Sequence, residues 1–404
     1  MPAFRAKLMM HSPALQEFNG GFRRQCLVEL RLQIAFSCHN AHCRRDSYLR
    51  GAGTMVAAGE PDLRSLVDGP MALGLAARLA VKHLERSGID AAPLLTASGL
   101  SRSAIAERQR ISVASQMRFL KLVSIASKDA WLGVTLAQEF DLREMGMLYY
   151  VAASSHQLGD ALKRISRYVR LGNEALVVQL KGLPVCFVQV SYSGVQRHRD
   201  RDQMELLTCA FLRLCRKLVG RNLTPRAVKF VHHRSGDLSP IRRMFGCDVK
   251  FDAEADEIMF DEQVAELPVL SDDPYLNELI VKMCDEAIAG RTTNAGPFRI
   301  VVENTIAPLL PHAEASTKTV AKLLNLSERT FSRRLAAEGV GFAEILDELR
   351  RDLAVRYLEE NLQASQIAWL LGFNQPSSFS HACRRWTGKS PLEIRRARKF
   401  EPAG

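Results

Sequence analysis

Apolar and polar positions follow two different periods along the central part of the chain. From about residue 71 to 170, apolar residues recur every three or four positions, as Leu75, Leu79 and Leu84 do before the turn at Ser87-Gly88. This spacing is the period of an amphipathic helix. The first half of the central region is therefore predicted to be helical.

From residue 175 the pattern changes to short β-branched and apolar runs. Two of these runs flank Lys181-Gly182-Leu183-Pro184 and predict a hairpin. A helix over 204–219 and further short strands follow. Together these segments predict an α+β body over residues 71–270, followed by a linker helix and turn over 271–297.

The last hundred residues are again helical and contain one pattern twice. In the first copy, Ser327 is a good N-cap for a helix over 328–337, which follows a shorter helix. In the second, Ser365 is expected to cap a short helix and Pro376 to begin the next one. A short helix, a tight turn and a second helix with a polar outer face form a helix-turn-helix unit. Residues 298–400 are therefore predicted to be an all-α domain with two such units.

An amphipathic helix over Phe342–Asn361 is predicted between the two units. Twenty residues at about 1.5 Å each span roughly 30 Å, and one turn of B-DNA is about 34 Å. Such a spacer could place both reading helices in successive major grooves, on a site of about 20 base pairs per monomer.

Each predicted reading helix carries a polar stripe opposite its apolar one. In the first unit Phe331 and Leu335 point inward, and in the second Phe379 and Cys383 do so. The polar stripes consist of Arg329, Ser332 and Arg333 in the first unit and of Ser377, Ser380 and His381 in the second. We also expect Trp369 and Trp386 to be core residues.

Charge is concentrated at the two ends of the chain. The formal net charge is +11, of which residues 1–54 carry +5, residues 318–404 carry +5 and the long middle only +1. A basic end on a neutral body is typical of a phosphate-binding module attached to a regulatory domain.

Three runs near the C-terminal end carry a family resemblance, namely Ile367-Ala368-Trp369-Leu370-Leu371-Gly372-Phe373, Ser377-Ser378-Phe379-Ser380 and Arg385-Trp386-Thr387-Gly388-Lys389-Ser390-Pro391. With these runs, the segment from about 300 to 400 resembles the DNA-binding domain of the AraC/XylS family of bacterial transcription regulators. Two positions depart from the usual pattern, since His381 is often Arg and Cys383 often a large aromatic residue. Residues 73–265 are similar to the N-terminal domain called arabinose-binding in one branch of this family, a label that does not make arabinose the ligand.

The resemblance implies a sequence-specific transcription regulator, and we expect an effector-responsive activator in the cytoplasm, associated with the nucleoid. The expected partners are double-stranded operator DNA, a small-molecule effector, RNA polymerase and a second copy of the chain. A membrane is not expected to be a partner. The six stripe residues are expected to meet base edges or nearby phosphates, and Arg384 and Arg385 to meet phosphate.

The principal alternative is an enzyme, such as a DNA-repair alkyltransferase, fused to the DNA reader. It needs a reactive cysteine in the body, and the nine cysteines are scattered, which favours buried, reduced thiols. A third alternative is an architectural DNA binder with weak sequence preference. We expect no catalytic residues and no cofactor, and no metal, because the run from Cys38 to Cys43 lacks two further ligands at zinc-finger spacing.

Residues 1–70 show no sustained period up to Met55 and are expected to be disordered or a mis-annotated extension, with the natural start at Met55 or Met71. The N-terminus does not resemble a signal peptide, and the chain has no run of about 18 apolar residues that would span a membrane.

Overall fold

The structure is a computed structural model that describes residues 69–182, 187–289 and 296–394. The predicted extension at residues 1–70 lies almost entirely outside the described residues. The run from Cys38 to Cys43 and two residues of the predicted hairpin turn, Leu183 and Pro184, also lie outside them.

The body contains helices of 5 to 18 residues. Within the described residues they are α1 (Leu75–Arg86), α2 (Ala92–Ala97), α3 (Arg102–Ala106), α4 (Val113–Ala126), α5 (Leu132–Glu139), α6 (Met147–Ala153), α7 (Leu158–Tyr168), α8 (Asp202–Val219), α9 (Ser239–Phe245) and α10 (Pro274–Ala289). Helix α10 occupies the predicted linker, but Leu276, Ile280 and Cys284 on it are buried in the core of the body.

Two sheets complete the body. Their strands are β1 (Met71–Ala72), β2 (Ile111–Ser112), β3 (Leu176–Lys181), β4 (Phe187–Tyr192), β5 (Ala227–Lys229), β6 (Val249–Lys250) and β7 (Asp256–Met259). Strands β1 and β2 form a small antiparallel pair, and the larger sheet has the order β3-β4-β7-β5-β6. Only the β5–β6 pair of the larger sheet is parallel. The predicted hairpin is present as β3 and β4, paired from Leu176 opposite Tyr192 to Lys181 opposite Phe187.

Helices α5 and α8 pack closely near the start of α8. A Cβ atom added at Gly133 would lie 2.3 Å from the backbone oxygen of Asp202. Only a residue without a side chain fits this contact, so Gly133 allows the two helices to approach each other.

A network of charged side chains is buried where α8 meets β5 and β7. Arg197 makes a bidentate ion pair with Asp256 at 2.6 and 2.7 Å, and Arg234 makes one with Glu205 at 2.6 and 2.7 Å. His232 lies between the pairs, 2.9 Å from Arg197 through Nδ1 and 2.9 Å from Glu205 through Nε2. Because arginine can only donate, Nδ1 accepts and Nε2 donates. Burial and the two arginines hold the pKa of His232 well below its usual range, which keeps the ring neutral.

The C-terminal part of the chain is helical and has its own hydrophobic core. Its helices are α11 (Phe298–Ile306), α12 (Thr317–Leu323), α13 (Glu328–Ala337), α14 (Phe342–Glu359), α15 (Ala364–Leu370) and α16 (Pro376–Thr387). The predicted fold class, an α+β body followed by an all-α domain with two helix-turn-helix units on a linker helix, is confirmed.

Candidate nucleic-acid interface

The first helix-turn-helix unit is formed by α12 and α13. Asn325 has a φ of 53° in the turn between them, a left-handed conformation that asparagine tolerates well. Ser327 caps α13 as predicted, because its hydroxyl accepts the backbone N–H of Thr330 at 3.2 Å. Phe331 and Leu335 are fully buried and hold α13 against the core.

The outer face of α13 presents an unpaired basic stripe. Arg329, Ser332 and Arg333 are all exposed, and within the described residues neither arginine takes part in an ion pair or a hydrogen bond. The next arginine behaves differently, since the guanidinium of Arg334 lies 4.0 Å from the centre of the Phe298 ring. The stripe therefore leaves two guanidinium groups free to meet an anionic partner.

The second unit is formed by α15 and α16. Helix α15 begins at Ala364, and the backbone N–H of Gln363 donates to Oε1 of Gln366 at 3.0 Å. The prediction that Ser365 is the N-cap is wrong, because the helix starts one residue before it. Pro376 is the first residue of α16 as predicted, and Gly388 ends that helix with a φ of 73°.

The polar face of α16 is more occupied by internal contacts than that of α13. Ser377 donates to Oε1 of Gln375 at 3.4 Å, and Ser380 donates to the carbonyl of Pro376 at 3.0 Å. His381 is exposed. Both arginines of this helix face carboxylates, with Arg384 3.8 Å from Glu393 and Arg385 2.5 Å from Asp347 on α14. The contact of the eight candidate residues with DNA stays a prediction.

The second unit packs on the linker helix α14. Arg350 donates from Nε to the carbonyl of Leu371 at 2.9 Å, and its guanidinium lies 4.6 Å from the centre of the Phe373 ring. Burial lowers the pKa of Arg350.

Cys383 lies on the inner face of α16 and is buried, and this burial raises the pKa of its thiol. The small side chain thus occupies a core position, as its apolar stripe predicted.

The two tryptophans differ in their surroundings. Trp386 is half-buried, and its indole contacts Phe373 with ring centres 6.3 Å apart. Trp369 is 58% exposed, so the prediction that it is a core residue is wrong. Its neighbours Ile367 and Ala368 take the inward positions of the short helix α15 and leave the indole on the outer side.

The enzyme alternative requires an activated thiol. Burial raises the pKa of Cys215 and of Cys284 to about 12, and raises that of Cys209 well above its usual range. Cys247 is half-buried, and its pKa is also raised by burial. A reactive cysteine has a lowered pKa, so the cysteines of the described ranges do not support this alternative.

The basic side chains of α7 are largely paired. Arg167 lies 2.9 Å from Asp285 on α10, Lys163 lies 3.1 Å from Asp160, and Arg164 lies 3.4 Å from Asn277. A cleft of about 330 Å³ lies between α7 and α10. Over the described ranges, none of the helices is both long and apolar enough to cross a bilayer.

Two family models match the chain. The model described as the arabinose-binding domain of AraC transcription regulators, N-terminal, matches residues 88–269, and a helix-turn-helix domain model matches residues 320–397. The HTH-type transcriptional regulator VirS of Mycobacterium tuberculosis is 28% identical over 291 residues, which are 70% of this chain and 84% of that protein. The ornithine utilization regulator of Pseudomonas aeruginosa is 26% identical and covers 66% of this chain and 78% of its own length.

Among solved structures, the transcriptional regulator CdpR of Pseudomonas aeruginosa is 21% identical, with a TM-score of 0.40, over 79% of this chain and 97% of that one. The arabinose-binding model matches the predicted α+β body, and the helix-turn-helix model matches the predicted all-α domain that follows it. The relatives are HTH-type regulators. The chain therefore belongs to the AraC family of DNA-binding transcription regulators.

Proposed function

We propose that this regulator binds an operator through two major-groove half-sites, one for α13 and one for α16. The observation that carries the proposal is the pair Arg329 and Arg333 on the exposed stripe of α13, for which the described residues supply no ionic partner. This stripe lies at one end of a linker helix of 18 residues. At about 1.5 Å per residue this helix spans about 27 Å, close to the length of one turn of B-DNA, about 34 Å.

The two half-sites are expected to contribute unequally to specificity. An arginine that forks onto guanine supplies about 1–3 kcal/mol of discrimination, and α13 has two arginines free to do so. On α16, Arg384 and Arg385 are already near carboxylates, so we assign them to phosphate. Ser377, Ser380 and His381 remain as candidate base contacts in the second half-site.

Selection of bound duplexes from a random DNA pool by the full chain tests this proposal. The expected result is a motif with two half-sites about one helical turn apart. Arg329→Ala or Arg333→Ala should weaken the base preference in one of the two half-sites. Lys121→Ala is the matched control, because Lys121 is an exposed cation on the body. A pool without enrichment, and with binding that only fades as salt rises, would show nonspecific phosphate attraction instead.

The other partners in the proposal are a small-molecule effector held by the body, RNA polymerase and a second copy of the chain. Because the regulator binds its operator on chromosomal DNA in this proposal, we expect it on the nucleoid in the cytoplasm. A metabolite that raises the melting temperature of the full chain should also shift operator affinity, oligomeric state or transcription. A bound metabolite that changes none of these three would contradict effector control, and transcription in the presence of the metabolite decides between activation and repression.

A further inference from the structure

The segment of residues 195–201, here called the clamp segment, joins β4 to α8. It contacts the C-terminal helical domain that begins at residue 298, here called the reading domain, at helix α11. The backbone N–H of Arg197 donates to Oδ1 of Asn304 at 2.7 Å. Asn304 in turn donates from Nδ2 to the carbonyl of Val195 at 2.8 Å. Gln196 donates to Oε2 of Glu303 at 2.5 Å. The clamp segment therefore holds the C-terminal half of α11 through both backbone and side-chain hydrogen bonds.

The same segment also contacts the C-terminal half of α14. Arg199 lies 2.9 Å from Asp352, and Arg201 lies 2.8 Å from Glu360 at the end of the helix. Between them, Arg356 donates from Nη1 to the carbonyl of His198 at 2.6 Å. Residues 352, 356 and 360 are four positions apart and so lie on one face of the helix. Three successive turns of the linker helix thus meet a single short stretch of the body.

The clamp segment is firmly attached to the body. Arg197 is anchored by its ion pair with Asp256 in the buried network. Asp200 accepts the hydroxyl of Tyr192 at 2.9 Å and the backbone N–H groups of Gln203 and Met204 at 3.0 Å each. The segment therefore has little freedom to follow a movement of the reading domain.

The two helices that it holds pack on each other, and each also contacts a different helix-turn-helix unit. Helix α11 packs on the first unit, where the rings of Phe298 and Phe331 are 5.8 Å apart and Glu338 accepts the backbone N–H of Phe298 at 2.6 Å. The C-terminal half of α14 leads directly into the second unit. A single rigid stretch of the body therefore bridges both helix-turn-helix units from outside their own core.

We propose that the clamp segment positions the two units relative to each other and thereby makes DNA binding strict about the spacing of the half-sites. The inference rests on the two-half-site operator proposed above. One added base pair moves a half-site by about 3.4 Å and rotates it by about 35°. A reader held in one orientation binds such an operator weakly, whereas a loosened reader follows the shift. Polar and ionic contacts suit this role, because they specify geometry more than they add stability.

The test compares the full-length protein on the selected operator with operators that have one base pair added or removed between the half-sites. Wild type is expected to bind the altered operators about tenfold more weakly than the selected one. Arg199→Asp and Asp352→Arg, made singly, should each reduce this ratio to about threefold or less. The combined Arg199→Asp/Asp352→Arg variant restores an ion pair and should recover the wild-type ratio. Asp248→Arg, a reversal at an exposed carboxylate of the body, should leave the ratio unchanged.

The ratio of affinities separates positioning from folding. The single variants could lose the same share of affinity for every operator spacing, with a lowered melting temperature and an unchanged ratio. That result would show a structural role and overturn the inference. Single variants with wild-type affinities throughout would overturn it as well, and the two-half-site function would stand. A wild-type protein that selects no paired half-sites would instead overturn the proposed function and, with it, this inference.

Discussion

The indole N–H of Trp386 donates to Oδ2 of Asp347 at 2.8 Å and so ties the end of α16 to α14. The other oxygen of the same carboxylate lies 2.5 Å from Nη2 of the preceding Arg385. Asp347 thus orients two consecutive residues of the second reading helix. The residues lie 38 and 39 positions away in the chain, so the contact depends on how the two helices pack.

Replacing Asp347 should loosen the second unit. Asp347→Ala removes both hydrogen bonds and is expected to lower the free energy of unfolding by about 1 kcal/mol. Because the orientation of α16 is lost, contacts in the second half-site should weaken more than those in the first. Urea unfolding and footprinting on the selected operator measure the two effects. The control is Asp248→Ala on the body, and equal footprints for the two variants would contradict this role of Asp347.

Removing a free arginine should cost more specificity than removing a paired one. Arg329→Ala or Arg333→Ala is expected to lower operator affinity by about 1–3 kcal/mol and to relax base preference in one half-site. Arg385→Ala should weaken binding to all sequences alike, because its guanidinium is already held by Asp347 and we assign it to phosphate. Titrations on the operator and on scrambled DNA over a range of salt distinguish these outcomes. Base preference that is relaxed equally by all three variants would argue against the assignment.

Local sequence patterns predicted the parts of this fold that depend on neighbouring residues. The cap at Ser327, the start of α16 at Pro376 and the hairpin of β3 and β4 all follow from short spacings. The periodicity did not predict the exposure of Trp369, because a helix of seven residues has too few positions to define its inner face. The periodicity also could not predict the ion pair between Arg199 and Asp352, because these residues are 153 positions apart and meet only once both domains are packed.

Asp202 is a buried carboxylate that should make stability depend on pH. Within the described residues its Oδ1 has no hydrogen-bond partner, and the nearest cation, Arg234, is 3.9 Å away. Burial raises its pKa to about 6, whereas the value in an unfolded chain is about 3.9. The folded state therefore binds the proton more tightly, so ionisation above pH 6 destabilises the fold, and this cost disappears as the pH falls towards 4.

Asp202→Asn should remove that cost. The variant is expected to be more stable than wild type by about 1 kcal/mol at pH 7 to 8, and to lose this advantage near pH 4. Some pH dependence will remain, because burial also raises the pKa of Asp200 to about 6. Urea unfolding at a series of pH values measures the difference. Stability curves for wild type and variant that run parallel from pH 4 to 8 would rule out Asp202 as the titrating group.

Gly372 in the turn of the second unit offers a test of close packing with an internal control. Its φ is +68°, and an added Cβ atom would lie 2.5 Å from the carbonyl oxygen of Leu310. Gly388 has a similar φ of +73°, but nothing lies within 4 Å of a Cβ atom there. Both substitutions by alanine carry the strain of a left-handed backbone, which costs about 1 kcal/mol or more. Only Gly372→Ala adds a collision with backbone that cannot move aside.

We therefore expect Gly372→Ala to destabilise the protein more than Gly388→Ala, by about 1–3 kcal/mol as for other overpacked sites. Because Gly372 joins α15 to α16, the same change should weaken protection of the second half-site in a footprint and spare the first. Thermal unfolding and footprinting of both variants decide the matter. Equal losses of stability would mean that backbone conformation alone, and not the contact with Leu310, requires glycine at this turn.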